Sequence, residues 1–201
     1  MVEPEKIEFK PVSVRNTLTE MKNLSEVMID LAYSAALFHN HELANEVLEL
    51  EKRVDYFAYL VNMNVLLAAR DAEDAESFSG ILTVASATNE ISDAAADIAS
   101  LVLQEIGVHP IIRQAFSKME EQLTRVEVKD ASLLTKRKLE ELDLAAAIGV
   151  DIIAIRRGTQ WIIDPNENEV ILKNDVMFAR GAPKGVEKLH GLATGKRITF
   201  E

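Results

Sequence analysis

Cysteine is absent from this chain of 201 residues, so neither a disulfide framework nor a thiolate metal site can form; a reducing compartment is compatible with that. Glycine and proline are scarce, 8 and 5 residues, which removes the collagen-like and low-complexity classes. No two glycines stand two positions apart, so the dinucleotide-binding fingerprint is missing. No serine sits in a Gly-x-Ser-x-Gly elbow and the four histidines are scattered, so no nucleophile comes with a paired base. Nothing in the sequence asks for an enzyme, and the expectation is a non-catalytic protein. Long hydrophobic runs are lacking too. The most apolar stretch, Tyr59 to Ala69, is interrupted by Asn62 and Asn64 and falls short of the ~18 residues of a membrane span. The beginning, Met-Val-Glu-Pro-Glu-Lys, has no basic region followed by an apolar one, the pattern of a signal peptide. Basic residues are outnumbered, 22 against 33 acidic, and the net charge of -11 argues against nucleic acid or an anionic membrane surface as partner. The expectation is a cytoplasmic protein with no direct membrane insertion.

What is present reads first as helix. The hydrophobic fraction, 48%, is ordinary for a globular chain of one large or two small domains. Ser13 suits a helix cap, and Leu18, Met21, Leu24, Met28, Leu31, Ala35 and Phe38 then recur at three- and four-residue steps. His39-Asn40-His41 ends that helix, and its two histidines read as solvated loop residues for want of a third metal ligand. Leu43, Val47, Leu50, Val54, Phe57 and Val61 form a heptad seam on a second helix. Arg70 to Glu76 reads as an acidic turn. A third helix is expected from about Ser77 to Glu105, with Ile81, Val84, Thr88, Ile91, Ala95, Ile98 and Val102 as its seam. Three helices with one apolar stripe each pack best as an antiparallel bundle, placed at 13–106. Gly107 and Pro110 stop the third helix, and Ile112, Phe116, Met119 and Leu123 predict a connector helix over 107–124.

From 125 to 201 the apolar period changes to that of strands. Ile152, Ile153 and Ile155 stop at Arg156-Arg157-Gly158, and Trp161, Ile162 and Ile163 stop at Asp164-Pro165, which predicts a hairpin. Val126 and Val128 suit a first strand, Val176 to Ala179 a later one, and Ile198 to Phe200 an edge strand. The fold class is therefore α+β: a helical bundle followed by a small α/β domain whose strands form a meander. Gly191 to Arg197 has the glycines and lysine of a phosphate loop, but one residue too few between the glycines and arginine where Ser or Thr should bind Mg²⁺. It reads as a tail.

Two resemblances follow from particular residues. Ser132, Leu134, Leu139-Glu140-Glu141-Leu142, the strand ending Ile155-Arg156-Arg157-Gly158, Pro165, Leu172, Asp175 and Gly181 keep the order and spacing of the TrkA C-terminal (RCK C-terminal) domain, which the stretch Val126 to Leu192 resembles. That family usually has glycine where Lys136 and Asn174 stand here; asparagine is the non-glycine residue that best tolerates a left-handed backbone. In the bundle, Glu49-Leu50-Glu51 with Val54-Asp55, and Ile91-Ser92-Asp93 with Asp97-Ile98-Ala99, look like the acidic motif of the PhoU family. Its members are phosphate-transport regulators built of three-helix bundles, two in the full family against one here.

These resemblances imply the candidate sites. Glu51 and Asp55, with Glu90, Asp93 and Asp97, would hold a divalent metal; Glu90, Asp93 and Asp97 also sit opposite the apolar seam of the third helix, where charges belong in any case. Arg156 and Arg157 point to opposite faces of their strand, so one could serve a small anionic ligand such as a cyclic dinucleotide while the other pairs with an acid such as Asp164. The functional expectation is a regulatory protein or subunit of a cation, above all potassium, transport system. It would be a homodimer through its C-terminal ligand-sensing domain and act on a membrane transporter or channel. The alternative is a PhoU-like metal-binding regulator of phosphate transport or signalling.

Overall fold

The computed structural model describes residues 11–104, 111 and 121–196. Three long helices come first: α1 (Val14–Phe38), α2 (His41–Ala68) and α3 (Ala72–Leu103). Each starts on a side-chain cap. Ser13 accepts from the Asn16 amide, Asn40 from those of Glu42 and Leu43, and Asp71 from that of Asp74. The stretch expected as a turn before Ser77 is thus the opening of α3, because Asp71 caps it and Glu73 and Asp74 favour its positive end.

The seams of α1 and α2 are buried as their periods predict: Met21, Leu24, Met28, Leu31 and Ala35 against Leu43, Val47, Leu50, Val54 and Val61. The third helix departs from expectation. Its buried face carries Ala85, Ser92, Ala95, Ala96, Ala99 and Val102, while Val84 and Ile91 of the expected seam are 56% and 45% exposed. Small residues let α3 lie close to its neighbours, and Ser92 donates to the Met28 sulfur at 3.3 Å.

The second part holds β1 (Gln122–Glu127), the short helices α4 (Leu139–Leu142) and α5 (Leu144–Ile148), β2 (Val150–Arg157), β3 (Gln160–Ile163), β4 (Val176–Gly181) and α6 (Pro183–Thr194). The α+β class stands, and so does the β2–β3 hairpin. The meander does not, because the antiparallel strand order is β1-β4-β2-β3. Strand β4 is buried from Val176 through Ala179 and therefore belongs in the middle of the sheet. The link from Asp164 to Asp175 carries the chain back across, held by bonds from the Leu139 amide to the Glu169 carbonyl and from the Lys136 amide to the Ile171 carbonyl. Leu123 lies in β1 and not in the expected connector helix; the other connector residues Ile112, Phe116 and Met119, and the expected edge strand Ile198 to Phe200, lie outside the described residues.

A bulge between Ile152 and Ala154 inverts the alternation of β2 part-way along. Val150 and Ile152 before it, and Ile155 after it, consequently face the same way, onto Leu189, Leu192 and Ala193 of α6. The other face meets the bundle. Leu123, Ala154, Val176 and Phe178 continue the core of the three helices, with Trp161 stacked on Phe178 at 4.8 Å. One face of the sheet thus joins the hydrophobic core of the bundle, while the other closes a second core against α6.

Candidate functional site

The junction between bundle and sheet is set by alternation along β2. Arg156 points to the bundle and donates to Glu46 Oε1 of α2 at 2.8 Å. The same oxygen accepts from Arg125 of β1, whose Nε stands 3.2 Å away, while the far end of that guanidinium reaches Glu42 at 3.3 Å. The Glu46 side chain is 10% exposed, so one nearly buried carboxylate of the bundle is held between guanidinium groups of two strands. Arg156 Nε is buried without a hydrogen-bond partner among the described residues. Nearby, Arg53 of α2 donates to the Thr159 carbonyl in the β2–β3 turn at 2.9 Å.

Arg157 faces the other way. It donates from Nε and a terminal nitrogen to the two oxygens of Asp175, each at 2.9 Å, and also to Glu169 and to the Val170 carbonyl. Asp175 is fully buried and accepts from the Leu172 amide as well, so this set locks the crossing link against the central sheet. Asp175 beside it holds the Arg157 guanidinium above its ordinary pKa. Neither arginine pairs with Asp164, which lies at the far end of the hairpin, its amide bonded to the Ile153 carbonyl.

Two grooves lie on the sheet domain, with opposite chemistry. One, of about 560 Å³ between α4, α5 and the start of β2, carries Glu140, Asp143, Asp151 and Glu167 and no basic side chain among the described residues. The other, of about 800 Å³ along α6, carries Lys184, Lys188, Lys196 and His190 against the single acid Glu187. In a chain of net charge -11, the second groove is where an anion meets favourable charge. The His190 ring is 2.8 Å from the Thr124 hydroxyl of β1, the residue before Arg125. Burial pushes its pKa down, and Glu42 opposes that. Of the Gly191 to Arg197 stretch, Gly191 to Thr194 close α6 and Gly195 is its left-handed C-cap; Arg197 lies outside the described residues.

On the bundle, α2 and α3 do bring their carboxylates to a common edge. Burial, then Asp55, Asp93 and Asp97, raise the pKa of Glu51; burial, then Asp55, Asp97 and Glu90, raise that of Asp93. Among the described residues, however, no three His, Cys, Asp or Glu side chains converge in an arrangement that could hold a metal ion. His39 and His41 meet edge to face at 5.1 Å in the α1–α2 turn.

Glu46, Arg125 and His190 were not singled out by sequence. The Glu42 and Glu46 pair, one helical turn apart beside the apolar seam, is the signal that marks a carboxylate aimed at a neighbour. It is also the commonest arrangement on any solvated helix.

Comparison with known proteins divides the chain at the same place as the structure. The model of the PhoU domain matches residues 18–102 and that of the TrkA-C domain residues 123–193. The Ktr system potassium uptake protein C of Bacillus subtilis (strain 168) is 30% identical over 73 residues, 36% of this chain and 33% of that protein. The chain thus spans about a third of the length of the curated relative it matches. Among solved structures, the RCK_C domain dimer of S. agalactiae BusR in complex with c-di-AMP is 21% identical, covers 35% of this chain and 92% of its own, and has a TM-score of 0.34. The RCK C domain of the potassium transport protein KtrA in complex with c-di-AMP is also 21% identical, covers 46% of this chain and 95% of its own, and has a TM-score of 0.33. Among the described residues, no helix is long and apolar enough to cross a membrane.

Proposed function

We propose that this chain, a PhoU domain followed by a TrkA-C domain, is a cytoplasmic regulatory subunit of a cation transport system, potassium in the first instance. In this reading the TrkA-C domain senses a small anionic ligand and the helical bundle passes its state to a membrane partner. The observation that carries it is Glu46 held between Arg125 and Arg156: a shift of β1 against β2 must change what this carboxylate of the bundle pairs with. Transmission needs a ligand that binds one arrangement better than another, and an exchange of partners at Glu46 would distinguish two such arrangements. The donors of Arg157 are engaged with Asp175, Glu169 and Val170, and Arg156 faces the bundle. They serve here to brace and to couple. The lysine-lined groove on α6 offers the charge for an anion, and it touches the junction through His190 and Thr124.

A thermal-shift panel tests this reading with cyclic di-AMP, adenine nucleotides, phosphate and divalent cations. A ligand present at ~100 times its dissociation constant adds about 2.7 kcal/mol of stability. A nucleotide that shifts the wild type and not Lys184→Glu/Lys188→Glu supports the proposal; no shift with any anion counts against it.

The second reading, a PhoU-like metal-binding regulator of phosphate transport, is favoured by the shared edge on which burial, and then neighbouring carboxylates, raise the pKa of Glu51 and Asp93. Metal content of the purified protein, compared with Asp93→Ala/Asp97→Ala, decides it. Equal and negligible content in both leaves the acidic edge as solvated surface.

A further inference from the structure

Apolar residues on α3 extend well beyond the stripe that α1 and α2 cover. Beside the buried face runs a second line, Gly80, Val84, Ala87, Ile91, Ala94, Ile98 and Leu101, in alternating steps of four and three. That is the spacing of a coiled-coil seam. The line is on the outside of the described structure: Val84, Ile91 and Leu101 are 56%, 45% and 40% exposed, Gly80, Ala87 and Ala94 are exposed, and only Ile98 is half-buried. It carries no charge in a chain whose net charge is -11. A heptad seam of this kind is matched by another helix, and the order of sizes says which one.

We infer that α3 pairs with α3 of a second copy of this chain, antiparallel and about a two-fold axis between Ser92 and Asp93. In that register Val84 lies opposite the partner's Leu101, Ala87 opposite the partner's Ile98, and Ile91 opposite the partner's Ala94. Each central layer then sets a large side chain against an alanine, and the two-fold operation repeats the match on the other side of the axis. The same seam therefore supplies both the knobs and the space they fill. From Gly80 to Leu101 it is ~32 Å long at about 1.5 Å per residue, and at a helix width of ~10 Å the two copies together bury roughly 640 Å², a contact below the ~1,000 Å² of a free-standing interface and one that association elsewhere in the chain would extend. On one flank Ile81, Thr88, Ala95 and Val102 turn toward their own bundle. On the other, Glu90 meets the partner's Asp97 and Asp97 the partner's Glu90, so the contact carries like-charge pairs that salt should relieve. This pairing does not rest on the ligand-sensing reading and leaves the TrkA-C domain free to associate separately.

Because the chain has no cysteine, single cysteines report the geometry without background. Val84→Cys and Leu101→Cys proteins, the latter carrying a mass tag, are mixed and oxidised. Ser86→Cys, on α3 but off the seam, serves as control, and circular dichroism verifies that each variant is folded. The expected result is a mixed Val84–Leu101 disulfide forming at least roughly tenfold faster than the Ser86→Cys homodimer, as an effective-concentration advantage requires. Cross-linking should be faster still in 1 M salt, where the Debye length is ~3 Å. A mixed pair no faster than the control overturns the inference. So does a Val84→Cys homodimer as fast as the mixed pair, because it would place two helices in parallel.

Discussion

Glu46 is the residue on which the proposed coupling rests, and its replacement separates structure from charge. In Glu46→Gln the side chain keeps its size while Arg125 and Arg156 lose their shared anion; with the arginine side chains 21% and 30% exposed, water offsets part of the loss. We expect a destabilisation of about 1–2 kcal/mol by denaturant unfolding, below the ~3–5 kcal/mol of a fully buried broken pair. At Arg157 the partner is the fully buried Asp175, so Arg157→Ala should cost more, about 3 kcal/mol, by the same measurement. Lys136 supplies a test in the opposite direction. Its φ is 64°, as left-handed as Asn174 at 65°, so at both positions where the resembled family has glycine the backbone keeps the conformation glycine would adopt. Lys136→Gly should therefore stabilise the protein by about 0.5–1 kcal/mol, the relief of strain exceeding the entropy glycine adds to the unfolded chain. The turn was legible from the resemblance; that lysine would accept it was not, because the bond that holds Lys136 there runs from its amide to the Ile171 carbonyl of the crossing link, far along the chain.

At the scale of elements, legibility followed the number of faces an element buries. The helices α1 and α2 bury one stripe each, so their periods located the core directly. The third helix has two adjacent apolar lines, and a single seam drawn through Val84 and Ile91 mixed the outer line with the inner one formed by Ala85, Ser92, Ala95 and Ala99. Strand β4 posed the reverse problem: runs of strand character gave the strands and the hairpin, but strand order depends on which run is buried on both faces. The acidic edge of α2 and α3 was legible as a grouping, and it carries a pH signature. Glu51 and Asp93 have pKa values raised above 4.5 and 3.8, chiefly by burial and then by neighbouring carboxylates. The folded state therefore takes up protons more readily than the unfolded chain there, so this contribution favours folding at low pH and is lost as pH rises through the raised values. Between pH 4 and 7, Glu51→Gln/Asp93→Asn should weaken that fall in melting temperature and be the more stable protein at pH 7. A gain of a few tenths of a kcal/mol is expected for such exposed groups. Equal pH dependence in the two proteins would mean that neither burial nor the neighbouring carboxylates raise these groups.

Over the whole molecule, the boundary between the two matched domains is crossed by a core: the sheet closes one core of its own against α6 and shares the other with the bundle. Leu123, Ala154, Val176 and Phe178 of the sheet are buried against the bundle, a relation that no local period in the sequence encodes, because it joins residues far apart along the chain. Unfolding should accordingly be one cooperative transition, with equal calorimetric and van't Hoff enthalpies. Two separated transitions would show the junction to be an ordinary domain contact. The central claim is that what the TrkA-C domain binds is felt in the bundle through Glu46. Hydrogen exchange of the intact chain with and without saturating cyclic di-AMP tests it most directly. The account predicts altered exchange in the first turns of α2, around Glu42 to Leu50, in the wild type, and loss of that response in Glu46→Gln while the response along α6 persists. Ligand effects confined to the TrkA-C domain of the wild type, or an α2 response that survives Glu46→Gln unchanged, would contradict it.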